Sequence, residues 1–261
     1  MHKILFPESN NEYIQASAAK LSEQEICEPV LEACDLQKAC QMLADGEVDA
    51  MVAGIDNSSR DVILACRDVL GMAGPALQEG EKRTFSSLFV ADFPDGRRVI
   101  LGDGATCKNP TAAQLADIIV LINDAAKRIL DEPPRIAVLS FSTFGSGGKD
   151  PSIDKIHEAI ELARERCPDI LVDGEMQLDA AVNARIGQKK APNSEVAGRA
   201  SVLVVPDINA GNILYKSFEQ FGGAHVAGPI LLGFKKPVSD LSRGSTVEDI
   251  VLTTECLEKL I

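Results

Sequence analysis

Ser242, Arg243 and Asp249 place a hydroxyl, a permanent cation and a carboxylate close together near the end of the sequence, with Glu248 beside the last of them. Such a set can grip an anion: a guanidinium fork binds two oxygens at once and keeps its proton, and the hydroxyl adds a hydrogen bond. Arg243 stands where a loop turns into a helix, with Ser245 or Thr246 as the N-cap and Glu248 and Asp249 in the first turn. Acids in a first turn also complement the helix dipole, so Asp249 has a structural reading beside a chemical one. Earlier, the apolar run at Val202 enters the turn Pro206-Asp207-Ile208-Asn209-Ala210-Gly211-Asn212 and then a helix. A buried strand, a turn with Gly and Asn, and a helix start direct backbone N–H groups outward, which makes Asn209, Gly211 and Asn212 anion-binding candidates. A third candidate is the loop from Ser140 to Gly148, where Ser142, Thr143, Gly145 and Ser146 offer hydroxyls and amides to phosphate oxygens. It lacks the endings of a P-loop or a dinucleotide fingerprint, and a plain flexible connection is the alternative.

The elements that must position these residues follow from periodicity. Lys3 to Phe6 reads as a strand stopped by Pro7, Asn11 to Leu21 as a helix, Ile26 to Leu31 as a strand, Leu36 to Ala44 as a helix, and Ala50 to Ala53 as a strand opening into Gly54. Asp56 to Ser59 caps a helix to about Leu70, and Gly71 to Gly80 is a linker. Thr84 to Asp92 and Arg97 to Leu101 form a hairpin about Pro94-Asp95-Gly96. A helix from Asn109-Pro110-Thr111 to Leu130, a strand Arg135 to Leu139, a helix Ser152 to Arg166, a strand Ile170 to Asp173 and a helix holding Gln177 to Asn183 come next. The strand at Val202, its helix, and an apolar run from Gly228 to Leu232 precede a polar loop ending at Asp240 to Gly244. Alternating strands and helices predict an α/β protein with a parallel sheet.

Composition narrows the partners. With 261 residues, 45% of them apolar, the chain can bury one large core or two modest ones. Its 39 acids against 26 bases give −13, which argues against nucleic acid or a membrane surface as partner. Seven cysteines without a CxxC pair and three scattered histidines fit reduced thiols in the cytoplasm and offer no metal-ligand spacing. No apolar run reaches the length of a membrane span, and no signal segment opens the sequence.

The wording of several blocks resembles the phosphate acetyltransferase and phosphate butyryltransferase family. DLSRG-ST-VED from Asp240 to Asp249, PDINAGNI from Pro206 to Ile213, GPILLG from Gly228 to Gly233, and the STxGS pattern at Ser142, Thr143, Gly145 and Ser146 all match its motifs. Val172 to Ala181 is like its VDGELQxDAA, and Lys189 to Ala200 is like its KKAPNSPVAGKA with Glu195 in place of Pro. Read without the resemblance, Asp173, Glu175 and Asp179 serve equally as caps, a charged rim or catalytic groups. The first half departs more: a block before Gly54 is missing, and the family's helix arginine falls on Leu64, flanked by Arg60 and Arg67.

The resemblance implies two α/β/α domains with a cleft between them, like the isocitrate and isopropylmalate dehydrogenases, with residues 1–78 plus 233–261 in a shortened first domain and 79–232 in the second. It implies a homodimeric enzyme with small-molecule substrates, exchanging acyl-CoA and phosphate for acyl phosphate and CoA, the acyl group acetyl or butyryl. Coenzyme A is then a substrate, with no bound cofactor and no metal. Asp249 would be the base for the CoA thiol, Arg243 the cation for charge building in the transition state, and Ser242 an added hydrogen bond. Arg60, Arg67 and Arg83 are the candidate coenzyme contacts, Arg67 having the alternative of a surface pair with Asp61 or Asp68. The rival reading is a regulatory module that binds acyl-CoA or acyl phosphate without turnover.

Overall fold

A computed structural model describes residues 1–73 and 84–261 and divides into two compact units, Met1–Val90 with His225–Ile261, and Ala91–Ala224. Sequence reading set the divisions at 78 and 232. The difference arises because the strand at 86–92 and the whole of the strand at 225–232 pack with the first unit up to Val90.

The first unit opens with β1 (Lys3–Phe6), α1 (Glu12–Glu23), β2 (Glu28–Leu31), α2 (Leu36–Asp45), β3 (Ala50–Ala53) and α3 (Ser59–Val69). β4 (Ser86–Asp92) leaves it, and β9 (His225–Leu232), β10 (Val238–Asp240) and α9 (Val247–Glu258) return to it. Its strand order is β2-β1-β3-β10-β9-β4. β1 pairs in parallel with β2 and β3, and β3 with β10, whereas β10 and β9 are antiparallel. All four residues of β3 are buried, as expected of a strand covered on both faces. Leu5, Leu43, Met51, Val62 and Val238 meet in one core there, each burial contributing about 1.5–3 kcal/mol.

The second unit contains β5 (Arg98–Gly102), β6 (Ile136–Leu139), β7 (Val172–Met176) and β8 (Val202–Val204), in the order β5-β8-β6-β7 with every pairing parallel. Its helices are α4 (Ala112–Ile129), α5 (Pro151–Arg166), α6 (Leu178–Val182), α7 (Ala184–Lys190) and α8 (Ile208–Gln220). α4 starts at a capping box in which Thr111 and Gln114 satisfy each other's backbone N–H groups. It then buries Leu115, Ile118, Ile119, Ile122, Ala126 and Ile129, the stripe that a 3.6-residue repeat produces. The turn after β4 closes with Phe93 N–H donating to Arg97 O at 2.8 Å.

Two elements depart from the sequence expectation. The segment before Asp240 is a buried strand, β10, and not a polar loop. Three residues with one serine and one aspartate carry no local strand pattern, and the strand exists because β3 and β9 flank it. β7 continues to Met176, through the residues read as a strand end, and α7 follows α6 after a single residue. The linker expected over Gly71 to Gly80 lies largely outside the described residues; its start pairs with the first unit, where Ala73 N–H donates to Gly233 O at 2.8 Å. No described helix is long and apolar enough to cross a membrane.

Candidate functional site

The candidate residues gather at the carboxyl ends of parallel strands, one group in each unit. This is where open α/β sheets hold ligands, since the loops leaving neighbouring strands and the starts of the following helices lie there together.

In the first unit, β1, β3 and β10 end side by side. β1 delivers Pro7 and Glu8, β3 delivers the turn Gly54–Ser58 and then α3, and β10 delivers Leu241–Gly244 and then α9. Glu8, 8% exposed, organises the turn: its carboxylate accepts the backbone N–H groups of Gly54, Ile55, Asp56 and Asn57 at 2.9–3.0 Å, and Asn57 Nδ2 at 2.6 Å. Four consecutive amides on one carboxylate form an anion nest that the chain fills itself. Ser58 then caps α3 through Asp61 N. Gly54 allows the close approach of the next strand, because a Cβ there would collide with Asp240 Oδ1 and lie 2.7 Å from Leu241 N.

Asp240 is 1% exposed and its Oδ1 has no hydrogen-bond partner among the described residues. Burial pushes its carboxyl up to about 6, with the Ser59 hydroxyl opposing and the Glu8 charge adding to the rise. Ser242 and Arg243 follow on an exposed loop. Ser242 O accepts from Ser245 N at 3.0 Å, and Ser242 Oγ from Gly244 N at 3.4 Å. Arg243 makes no hydrogen bond or ion pair among the described residues, so its guanidinium is available to a ligand. Thr246 is the N-cap of α9 and forms a capping box with Asp249, whose Oδ2 accepts Thr246 N–H at 2.9 Å and Thr246 Oγ1–H at 2.7 Å. Asp249 Oδ1 is left over. Glu248 is a surface partner of Lys20, at 2.6 Å.

Of the coenzyme candidates, Arg60 lies exposed in the first turn of α3 without a partner among the described residues. Arg67, on the same helix, pairs with Asp68 at 2.7 Å, both side chains 54% exposed, which is the surface alternative. Leu64 is half-buried between them. Arg83 lies outside the described residues.

In the second unit the loop after β6 is built around Glu175 of β7, a fully buried carboxylate. Glu175 Oε1 accepts Ser142 Oγ–H at 2.7 Å and Gly145 N–H at 2.8 Å, and Oε2 lies 2.6 Å from His157 Nε2 of α5. Burial pushes this carboxyl up, but the bonds from Ser142, Gly145 and His157 outweigh it and hold it below the ordinary glutamate range. The amides from Ser142 to Gly148 are all bonded within this frame, for example Thr143 N–H to Ser146 Oγ at 2.9 Å and Gly147 N–H to Ser142 Oγ at 2.7 Å. Sequence reading assigned phosphate to those amides and hydroxyls together. As folded, the amides are consumed, the Thr143 hydroxyl is buried and bonded, and the exposed Ser146 hydroxyl is the group nearest to being free. Thr143 Oγ1 is 3.2 Å from Gln177 Oε1 and accepts Gln177 N–H at 3.0 Å.

The turn after β8 stands beside this loop's strand. Asp207 caps α8 through Ala210 N at 3.0 Å, so a carboxylate already sits at the helix start. Asn209 and Asn212 are exposed on one helical face with side chains unpaired among the described residues. Gly211 is buried, and its role is packing: a Cβ would lie 2.5 Å from Asp103 O. Lys155 of α5 braces the turn by donating to Pro206 O at 2.9 Å. A cavity of about 600 Å³ in this unit lies elsewhere, at the amino ends of β5 and β8 among Phe93, Arg98, Ile129 and Ser201; Arg98 there is bound to Asp92 at 2.6 Å.

Sequence reasoning missed Glu8 and Asp240 as organisers and left Glu175 undecided. For Glu175 the signal was an acid inside an otherwise strand-like run. Glu8 gave none, because its partners are backbone amides far along the chain.

The sequence profile of the phosphate acetyl/butaryl transferase family matches residues 33–256. A protein of Treponema pallidum named phosphate acetyltransferase is 43% identical over 223 residues, covering 83% of this chain and 65% of its own length. One of the same name from Nitrosomonas europaea is 44% identical over 212 residues, covering 81% of this chain and 29% of its own. The chain thus spans under two-thirds of either relative. The crystal structure of a phosphotransacetylase from Streptococcus pyogenes superposes with a TM-score of 0.84 at 32% identity, covering 99% of this chain and 93% of that one.

Proposed function

The chain belongs to the phosphate acetyl/butaryl transferase family, and from that premise we propose that it exchanges acyl-CoA and inorganic phosphate for acyl phosphate and CoA. The observation that carries the reading is Arg243, exposed and unpaired among the described residues, on the loop that leaves β10 beside the start of α3. An unpaired guanidinium with a hydroxyl one residue before it is suited to a phosphoryl or carbonyl oxygen that gains charge.

In the direction of thioester synthesis, the CoA thiol loses its proton to Asp249, through the oxygen the capping box leaves over. A base is needed because a thiol pKa of about 8.5 leaves little thiolate at neutral pH. The thiolate adds to the acyl carbon, and a C–S bond forms as the carbonyl oxygen takes up charge. Arg243 and Ser242 stabilise that charge. The C–O bond to phosphate then breaks, and phosphate departs with the electron pair. Ser142, Thr143, Gly145 and Ser146, with Asn209, Gly211 and Asn212, are the phosphate-binding group of the second unit: the exposed Ser146 hydroxyl and the Asn209 and Asn212 side chains reach the anion, while Ser142, Thr143 and the glycines shape the loop and turn. Arg60 and Arg83 serve the coenzyme phosphates, and Arg67 joins them by exchanging its exposed pair with Asp68 for the ligand. The acyl group is acetyl or butyryl.

We further infer a cytoplasmic homodimer. Seven free cysteines support a reducing location, and Ile213 and Phe221, 67% and 91% exposed, support a covering partner copy.

Arg243→Lys tests the reading. A point charge replaces a fork, so turnover of acetyl phosphate and CoA, followed by thioester absorbance, should fall by about 100-fold or more. The thermal midpoint should hold, since the loop is exposed. Wild-type turnover in this variant would remove Arg243 from the chemistry, and no turnover in the unmodified protein would favour a binding module.

A further inference from the structure

Asp240 is the last residue of β10, placed opposite Ala53 in the parallel pairing with β3. Both strands end there, one entering the turn before α3 and the other the loop of Ser242 and Arg243. The two exits are pressed together: Leu241 N–H donates to Ala53 O at 2.6 Å, and the absent Cβ of Gly54 leaves room for Asp240 Oδ1 and for Leu241 O at 2.8 Å. On its far side the same turn is locked by the four amides on Glu8. An acid with one oxygen buried and without a partner among the described residues is costly to fold.

We propose that Asp240 is a positioning residue, which clamps the Ser242–Arg243 loop to the turn at the start of α3 and so sets where the guanidinium stands. The inference rests on Arg243 being the reactive cation. The groups facing Asp240 are Glu8 from the segment after β1, and Ser59 and Cys66 from α3. The Ser59 hydroxyl bonds the Asp240 carboxylate, so the exit of β10 is tied to the first turn of α3. An amide is a weaker acceptor for that hydroxyl, and the loop then loses its fixed place.

The structural and positioning roles make opposite predictions for Asp240→Asn. The variant removes an unpartnered buried charge, so its thermal midpoint at neutral pH should equal or exceed that of the wild type. Its turnover should nevertheless fall by about 10- to 100-fold, the cost of misplacing a reacting group by about an ångström. Because Asp240 acts through Arg243, the double variant with Arg243→Lys should be no more than about twofold slower than Arg243→Lys alone. Wild-type turnover in Asp240→Asn, or losses that multiply in the double variant, overturns the inference and leaves Arg243 standing. Wild-type turnover in Arg243→Lys overturns both.

Discussion

Asp249 and Thr246 exchange three hydrogen bonds at the start of α9, so this carboxylate has a structural duty whatever else it does. Asparagine keeps the shape and accepts the same bonds less strongly. Asp249→Asn should therefore cost about 0.5–1 kcal/mol of stability, a drop of about 1–4 °C in the thermal midpoint. If Asp249 also takes the thiol proton, turnover at saturating CoA should fall by about 100-fold or more, well beyond anything the lost cap explains. A variant whose turnover falls only in step with its stability would reduce Asp249 to a cap. The arginines divide in the same way. Arg67 is engaged with Asp68 in an exposed pair, of the kind worth little in water, whereas Arg60 points its charge at no described group.

Among the elements, the loop after β6 is rigid in its bonding because β7 lends it a buried carboxylate. Glutamine at 175 would weaken charge-assisted bonds of about 1.5–3 kcal/mol to ordinary ones of about 1 kcal/mol. Glu175→Gln should raise the KM for phosphate about tenfold and leave that for CoA unchanged, which steady-state rates with each substrate varied will measure. An unchanged phosphate KM would mean that the loop is held by other bonds. This arrangement also marks what sequence can convey. Lys3–Phe6 and Ala50–Ala53 were legible to the residue, because short buried β-branched and apolar runs stopped by Pro or Gly signal themselves. The start of α9 was legible to within one residue, because Ser245 and Thr246 both stand three before an acid, and the fold makes Thr246 the cap. Val238–Asp240 was not, because its strand character comes from neighbours on both sides. The residues that grip the turns, Glu8 and Glu175, were hidden for a similar reason: their partners are loop amides brought near only by the finished sheet. The acids and arginine of the DLSRG block were visible as types, and what each one touches was not.

For the whole molecule, pH sets two buried acids against each other. The raised Asp240 carboxyl contributes stability that is fully present below the ordinary aspartate pKa of 3.8 and is lost as pH rises through about 6. Glu175 is held low, so its contribution is present above the ordinary value of 4.5 and is lost as pH falls through its folded value. The net charge of −13 adds a self-repulsion that grows from the isoelectric point near 4.7 upward. The thermal midpoint should therefore peak near about pH 5 and decline toward pH 7. High salt should flatten the part due to net charge, and Asp240→Asn the part due to burial, as melts across that range will show. A midpoint still rising between pH 5 and 7 would contradict the assignment. A different consequence follows from the interruption of the first unit between Val90 and His225. A chain emerging from the ribosome presents β1, β2 and β3 early, but the place beside β3 stays vacant until Val238–Asp240 has been synthesised. Through that interval β3 is a bare edge, open to wrong pairing or to a chaperone. The second unit, contiguous from Ala91 to Ala224, is complete in sequence before that. Birth order thus places the loop of Ser242 and Arg243 after the whole of the second unit, and the candidate site of the first unit does not form before β10 has paired with β3.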